Sequence, residues 1–277
     1  MPKLKTTGGA TDAYTSPSVS IGMPVYNGAK YIREALDSLL AQTFVDFELI
    51  ISDNASTDST PDICREYAGL DARIRYVRQD ENRGPLANFQ FVFSEARGKY
   101  FMWAAHDDRW ASTFLKRTVA VLERDAECGL VFSHYIERNL ENGNEKFHRV
   151  KSSDSASLPF NYLTRMLHMC PSLIYGLFRV NMIENMKLEN FDFADVYFVS
   201  SLGLRATIRV IDDYLYIAGV KGSRIPYSLT HKKIYRTTFL RKQYALLQGR
   251  FCFPVALFLF FILCGVMLKN KILLWRY

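Results

Sequence analysis

Tyr100-Phe101-Met102-Trp103-Ala104-Ala105-His106-Asp107-Asp108-Arg109-Trp110 is an apolar run that stops abruptly at two adjacent carboxylates. It reads as a buried strand whose carboxyl end delivers acid groups into a site. Ligands of open α/β sheets lie beyond the carboxyl ends of the strands. The meaning of this stretch therefore depends on whether strands and helices alternate around it.

They do. Val19-Ser20-Ile21-Gly22-Met23 is a first strand, closed by the loop Pro24-Val25-Tyr26-Asn27-Gly28. Apolar residues then recur at helical spacing from Ile32 through Ala35, Leu36, Leu39 and Leu40. Phe47-Glu48-Leu49-Ile50-Ile51 is a second strand, which runs into the polar loop at 52–60. A helix with Pro61 in its first turn follows, where a missing N–H costs nothing. Ile74-Arg75-Tyr76-Val77 is a third strand, Glu81 to Pro85 a turn and 86–96 a helix. After the opening stretch, Ser112 is expected to cap a helix to about Arg124, and Gly129-Leu130-Val131-Phe132-Ser133 is a fifth strand. Single helices between strands imply right-handed crossovers and a mostly parallel sheet covered on both faces. Residues 135–157 break the rhythm, with Glu141-Asn142-Gly143-Asn144 as a hairpin turn. Residues 159–213 mix helices with short strands, as a layer that completes the site.

The net charge of +7 over 277 residues hides an asymmetry. Residues 214–277 carry eleven Lys/Arg and no Asp/Glu, which leaves 24 basic against 28 acidic residues before them. A mildly acidic body thus precedes a basic, apolar tail. That pattern suits an anionic membrane surface, whereas a nucleic-acid binder would spread its basic residues over the folded body. Residues 228–250 alternate apolar and basic positions as an amphipathic helix suited to a bilayer surface, or to packing on its own domain. Residues 251–268 are eighteen residues without a charge, about 27 Å as a helix and just short of a hydrocarbon core. The polar stretch 1–17 has no apolar signal region and is expected to be a disordered leader. The five cysteines show no metal spacing and read as reduced, packed thiols.

Three strand ends are polar and distinctive: Pro24-Val25-Tyr26-Asn27, Asp53-Asn54-Ala55-Ser56-Thr57-Asp58 and His106-Asp107-Asp108. They are expected to converge on one crevice. Tyr26 can stack on a base, and Asp53 or Asn54 can bond a base edge or a ribose hydroxyl. Asp107 and Asp108 can hold Mg²⁺ or Mn²⁺, hard cations that take carboxylates together with substrate phosphates. No G-x-G-x-x-G or P-loop follows the first strand, so dinucleotide and Walker-type phosphate binding are disfavoured.

From Val19 to about Asp213 the chain resembles a family-2 glycosyltransferase of the GT-A fold, nucleotide-sugar-dependent and inverting. The resemblance is carried by the first-strand motif through Asn27, then Gln42-Thr43-Phe44, Phe47 to Asp58, Asn82-Arg83-Gly84 and Asp107-Asp108, in order. It implies a GT-A (Rossmann-like), mostly parallel central α/β sheet flanked by helices, with a basic and hydrophobic C-terminal helical tail. Residues 18–134 would form the nucleotide-sugar-binding half and 135–227 the acceptor-side half. Residues 228–250 would be the amphipathic helix, and 251–277 the hydrophobic membrane-associated tail.

By resemblance Pro24, Tyr26, Asn27, Asp53, Asn54 and Arg83 fall to the nucleotide. Asn54 stands where the family has a second Asp. Asp107, Asp108 and then His106 fall to the metal, Mg²⁺ or Mn²⁺, and Ala105 fills a place often held by Asp. The general base falls to Asp195, with Asp192 behind it, although Asp195 also suits a helix cap. Lys221 and Arg224 are candidates for the diphosphate or for solvent, and Arg83 shares that standing with Arg109. For Arg83 and Arg109, near an acidic loop, a structural ion pair is the default, and His134 and His168 are expected in the core.

The expected activity is sugar transfer to a hydroxyl of a lipid-linked or growing surface glycan at the cytoplasmic face of the cell membrane, with no nucleic acid involved. Two rivals remain. A nucleotidyltransferase would show a Gly-rich phosphate loop after the first strand, and none is present. A catalytically degenerate, membrane-tethered sugar-nucleotide-binding or partner subunit is kept open by Ala105, Asn54 and the lone Asp195.

Overall fold

A computed structural model of the chain describes residues 16–155, 157–190, 194–221, 241–249 and 256. Its centre is four parallel strands: β1 (Val19–Val25), β2 (Phe47–Asp53), β3 (Ile74–Arg78) and β4 (Tyr100–Trp103), in the order β3-β2-β1-β4. Every residue of β1, β2 and β4 is buried, as expected of parallel strands covered on both faces. The helices between them are α1 (Ile32–Leu40), α2 (Thr60–Leu70) and α3 (Gly84–Ser94). α1 buries Ile32, Ala35, Leu36 and Leu39, a single stripe at helical spacing. Proline stands at the first turn of both α2 and α3.

Beyond β4 the sheet becomes mixed. β5 (Arg109–Trp110) is a short edge, α4 (Phe114–Arg124) crosses back, and β6 (Cys128–Asn139) forms a hairpin with β7 (Glu145–His148). β8 (Leu177–Arg179) inserts antiparallel between β4 and β6. β9 (Thr207–Val220) runs parallel to β6 and antiparallel to β5. The expected fifth strand is therefore longer than its apolar run, and it continues across residues 134–135, so the two expected halves share one sheet. Three residues are too few for β8 to show a period in the sequence.

The remaining helices are α5 (Leu158–Leu167), α6 (Val180–Ile183) and α7 (Ala194–Leu202), with a 3₁₀ turn at Pro171–Tyr175. Trp103, at the end of β4, meets the rings of Phe178 on β8 and Phe198 on α7 edge-on, at 5.6 and 5.7 Å. That aromatic contact fastens α7 to the strand that carries the acid loop.

Three local expectations are corrected. Thr113, not Ser112, occupies the cap of α4, and the Ser112 carbonyl accepts the Thr43 N–H at 2.8 Å. α3 begins at Gly84 rather than residue 86. His134 is buried as expected, with Asp212 at 2.9 Å and the Val150 N–H at 3.2 Å. His168, in contrast, is exposed.

Residues 241–248 are helical and lie on α5. Tyr162 Oη donates to Gln243 Oε1 at 2.7 Å, and Leu247 is buried with Tyr162, Met166 and Val196. Among the described residues no helix is long and apolar enough to cross a membrane. Residues 1–15, 222–240 and 250–277 other than 256 lie outside the described residues, and with them most of the expected leader and tail, and Arg224.

Candidate active site

The three polar strand ends do meet. Asn27, at a positive φ of 51°, donates its N–H to Ser56 Oγ at 2.9 Å and accepts the Thr57 N–H on Oδ1 at 2.8 Å. The Gly28 N–H donates to Thr60 Oγ1 at 2.9 Å. On its other side Gly28 lies so close to His106 that a Cβ would stand 2.8 Å from the imidazole Cδ2 and 2.7 Å from Val25 Cγ2. The β1 loop is thus bonded to the β2 loop and packed on the β4 loop.

Pro24 is buried within β1, opposite Ser52 of β2. Tyr26, just past the end of β1, is 44% exposed. Asp53 is fully buried. Its Oδ1 accepts the Ser56 N–H and its Oδ2 the Tyr76 hydroxyl, both at 2.9 Å. Its charge shapes the loop before it touches any ligand.

Asn54 differs from its expected role. It is 3% exposed, and its amide is used up within the protein. Nδ2 donates to Asn82 Oδ1 at 2.8 Å and to the Gly84 carbonyl at 3.1 Å, while Oδ1 accepts the Arg83 N–H at 3.0 Å. The Gly84 carbonyl can only accept and the Arg83 N–H can only donate, which fixes the amide's orientation. A carboxylate at 54 would set oxygen against oxygen here. The departure from the family's Asp is thus matched by Asn82 and the turn that opens α3. Arg83 holds the position before α3, its guanidinium half-exposed and 3.9 Å from Glu81.

The acid loop divides its carboxylates. Asp108, expected as the second metal ligand, is only 4% exposed and turned into the protein. Its Oδ1 accepts the Gly219 N–H at 2.8 Å and its Oδ2 the Tyr216 hydroxyl, both from β9. Burial pushes its carboxyl up to about 7, against the pull of the Tyr216 bond and with the Asp107 charge adding to the rise. Tyr216 is itself driven well above the ordinary phenol range, first by burial and then by Asp108. Asp108 is a pin between the acid loop and β9. The pin is tight: a Cβ on Gly219 would stand 2.1 Å from the Asp107 carbonyl oxygen.

Asp107 is the carboxylate left at the crevice, 18% exposed, with the Lys221 ammonium 3.4 Å from Oδ2. Beside it, His106 has a buried Nε2 without a hydrogen-bond partner. Burial lowers the pKa of that imidazole, the Asp107 charge opposes the fall and the Lys221 charge adds to it. Among the described residues no group of three His, Cys, Asp or Glu could hold a metal ion. A hard cation that keeps several waters and takes substrate phosphates needs only one or two protein ligands. Asp107, with His106 adjacent, fits that sparse requirement, whereas Asp108 does not.

Asp195 stands in the first turn of α7 and accepts the Val196 N–H at 2.8 Å. It lies one helical turn before Phe198, the residue that meets Trp103 at the foot of the acid loop. Asp192 lies outside the described residues. Arg109 is in the expected structural pair, with Glu34 of α1 at 2.6 Å.

Sequence reading missed Tyr31, which precedes α1, and Tyr216 and Gly219 on β9. Tyr216 lies 108 residues from the carboxylate it serves. The two glycines of Ala218-Gly219-Val220-Lys221-Gly222 were the available signal for a close backbone approach.

The parallel sheet with its acid loop defines the class. The chain belongs to glycosyl transferase family 2, whose family model matches residues 20–188. It is 33% identical over 119 residues to TuaG of Bacillus subtilis, named for teichuronic acid biosynthesis, covering 43% of this chain and 47% of that protein. Matches to the curated relatives span from 23% to 56% of those proteins' lengths. Among solved structures it is similar to S. aureus TarS in complex with UDP, with a TM-score of 0.65 at 20% identity, over 84% of this chain and 66% of that one. It is also similar to the mannosyltransferase PcManGT of Pyrobaculum calidifontis with GDP-Man and Mn²⁺. There the TM-score is 0.57 at 18% identity, over 96% of this chain and 79% of that one. Those likenesses establish the GT-A α/β fold.

Proposed function

We propose that the chain is an inverting, divalent-metal-dependent glycosyltransferase. It would take a sugar from a nucleoside diphosphate and place it on a hydroxyl of a surface glycan or lipid-linked acceptor. The observation that carries this reading is the meeting of the β1, β2 and β4 loops, which bond and pack together, with Asp107 partly exposed beside them. UDP and GDP-Man in the two similar structures support a sugar-nucleotide donor, and Mn²⁺ in one of them supports a metal. In this reading residues 18–134 bind the donor and residues 135–227 present the acceptor. The basic tail brings the crevice to the cytoplasmic face of the membrane.

The chemistry follows from the residues. Tyr26 offers a ring face to the base, and the Asp53 loop offers polar groups to the nucleoside. Asp107, with His106 beside it, would hold Mg²⁺ or Mn²⁺, which neutralises charge on the departing diphosphate. Asp195 takes the proton of the acceptor hydroxyl as that oxygen attacks the anomeric carbon. The bond from that carbon to the phosphate oxygen breaks on the opposite side, and its electron pair leaves with the diphosphate. Attack from the far face inverts the anomeric configuration.

The test is metal-dependent turnover of a panel of nucleotide sugars by the full chain and by Asp107→Ala. Turnover with Mn²⁺ or Mg²⁺, reduced at least about 100-fold in the variant, is expected. No metal-dependent turnover of any donor by the wild type would overturn the proposal in favour of a binding subunit.

A further inference from the structure

Tyr31, between the β1 loop and α1, carries two cations on one ring. Lys30 Nζ lies 5.0 Å from the ring centroid and Lys221 Nζ 5.1 Å from it. Lys221 is also 3.4 Å from Asp107 Oδ2. Lys30 and Lys221 thus both approach the Tyr31 ring, and Lys221 bridges that ring and the Asp107 carboxylate. Lys221 is not placed there by chance of a long side chain. The Asp108 pin holds the Gly219 backbone against Asp107, and Lys221 leaves β9 two residues later.

We propose that Lys221 is the internal counter-ion of Asp107 and moves onto a substrate phosphate when a divalent cation takes that carboxylate. Lys30 and Tyr31 complete the anion subsite. The identity of the phosphate, as the donor's diphosphate, rests on the function proposed above. A cation bound to Asp107 at ordinary coordination distance would sit within a few ångströms of the ammonium, and the two repel. The ammonium must then give way. The diphosphate arriving with the cation supplies oxygens to replace Asp107. Tyr31 supplies a face over which a flexible lysine can pivot without losing all its partners.

The test uses the full chain and two ligands that contain no sugar. Mn²⁺ is titrated alone by calorimetry, then inorganic pyrophosphate is titrated at saturating Mn²⁺. Lys221→Met is expected to tighten Mn²⁺ about two- to fivefold, the scale of a half-exposed ion pair, and to weaken pyrophosphate about tenfold. Lys221→Arg should hold both near wild type. Lys30→Met, whose cation does not touch Asp107, should weaken pyrophosphate and leave Mn²⁺ unchanged. Mn²⁺ affinity that is unchanged or weaker in Lys221→Met would overturn the exchange, and so would unchanged pyrophosphate affinity. If the opposed shifts appear but no donor is turned over, the counter-ion stands and the transferase reading fails.

Discussion

Asp108→Ala is the perturbation that separates a pin from a metal ligand. Removing the carboxylate leaves the buried Tyr216 hydroxyl and the Gly219 N–H without their acceptor. Each orphaned group costs about 1–3 kcal/mol, so the loss is about 2–6 kcal/mol. For a chain of this size that is a fall in Tm of about 10 °C. Asp108→Asn behaves differently. Its carbonyl oxygen still accepts the Gly219 N–H, and its amide can donate to the Tyr216 oxygen once the hydroxyl turns, so the loss stays below about 2 kcal/mol. The pH dependence adds a second readout. A carboxyl at about 7 in the folded state lies above its ordinary value near 3.8. The folded state therefore binds the extra proton between those values. Stability falls as pH rises from about 4 to about 7, by up to about 4 kcal/mol, and that slope is absent in Asp108→Asn. The assay is urea unfolding across this pH range in EDTA, with Mn²⁺ titrations of the same variants. Equal destabilisation by Ala and Asn would refute the pin. So would loss of Mn²⁺ binding in Asp108→Asn as complete as in Asp107→Asn.

Other consequences follow from the same geometry. Asp195→Asn should lower kcat about 10²–10⁴-fold while donor affinity, read by calorimetry, stays within about twofold; an unchanged kcat would remove Asp195 as the base. Gly28→Ala places a Cβ 2.7 Å from Val25 and 2.8 Å from His106. It should cost about 1–3 kcal/mol in urea unfolding and shift the His106 imidazole resonances, and neutrality there would mean that the loops do not pack as described. Ala55 adopts a φ of +60°, a conformation that costs an L residue about 1 kcal/mol. Ala55→Gly should therefore be neutral or stabilising by up to about 1 kcal/mol, where glycine elsewhere in an ordered element destabilises; a loss above about 1 kcal/mol would contradict the left-handed loop.

The parallel half of the fold was legible because its strands are buried on both faces and its helices are striped. Val19-Ser20-Ile21-Gly22-Met23 and Phe47-Glu48-Leu49-Ile50-Ile51 could be read as strands, and the stripe from Ile32 to Leu39 as a helix, from local pattern alone. The residue types at the strand ends were legible for the same reason, since topology forces those ends together. β8 was not, because three residues carry no period and its place between β4 and β6 is set by pairing across 79 and 48 residues, from Tyr100 to Arg179 and from Leu130 to Phe178.

The sequence alone thus determined the family and which polar strand ends come together, with Asp53, Asn54, His106, Asp107 and Asp108 among their residues. It could not divide the labour among them, because adjacent carboxylates look alike until their partners are known. Only the tertiary structure sent Asp108 inward to Tyr216 and Gly219, and closed Asn54 on Asn82 and the turn into α3. It left Asp107 partly exposed, with Lys221 against it. The physical reason is that a carboxylate's role depends on which donors surround it, and the donors of Asp108 come from a strand about a hundred residues away.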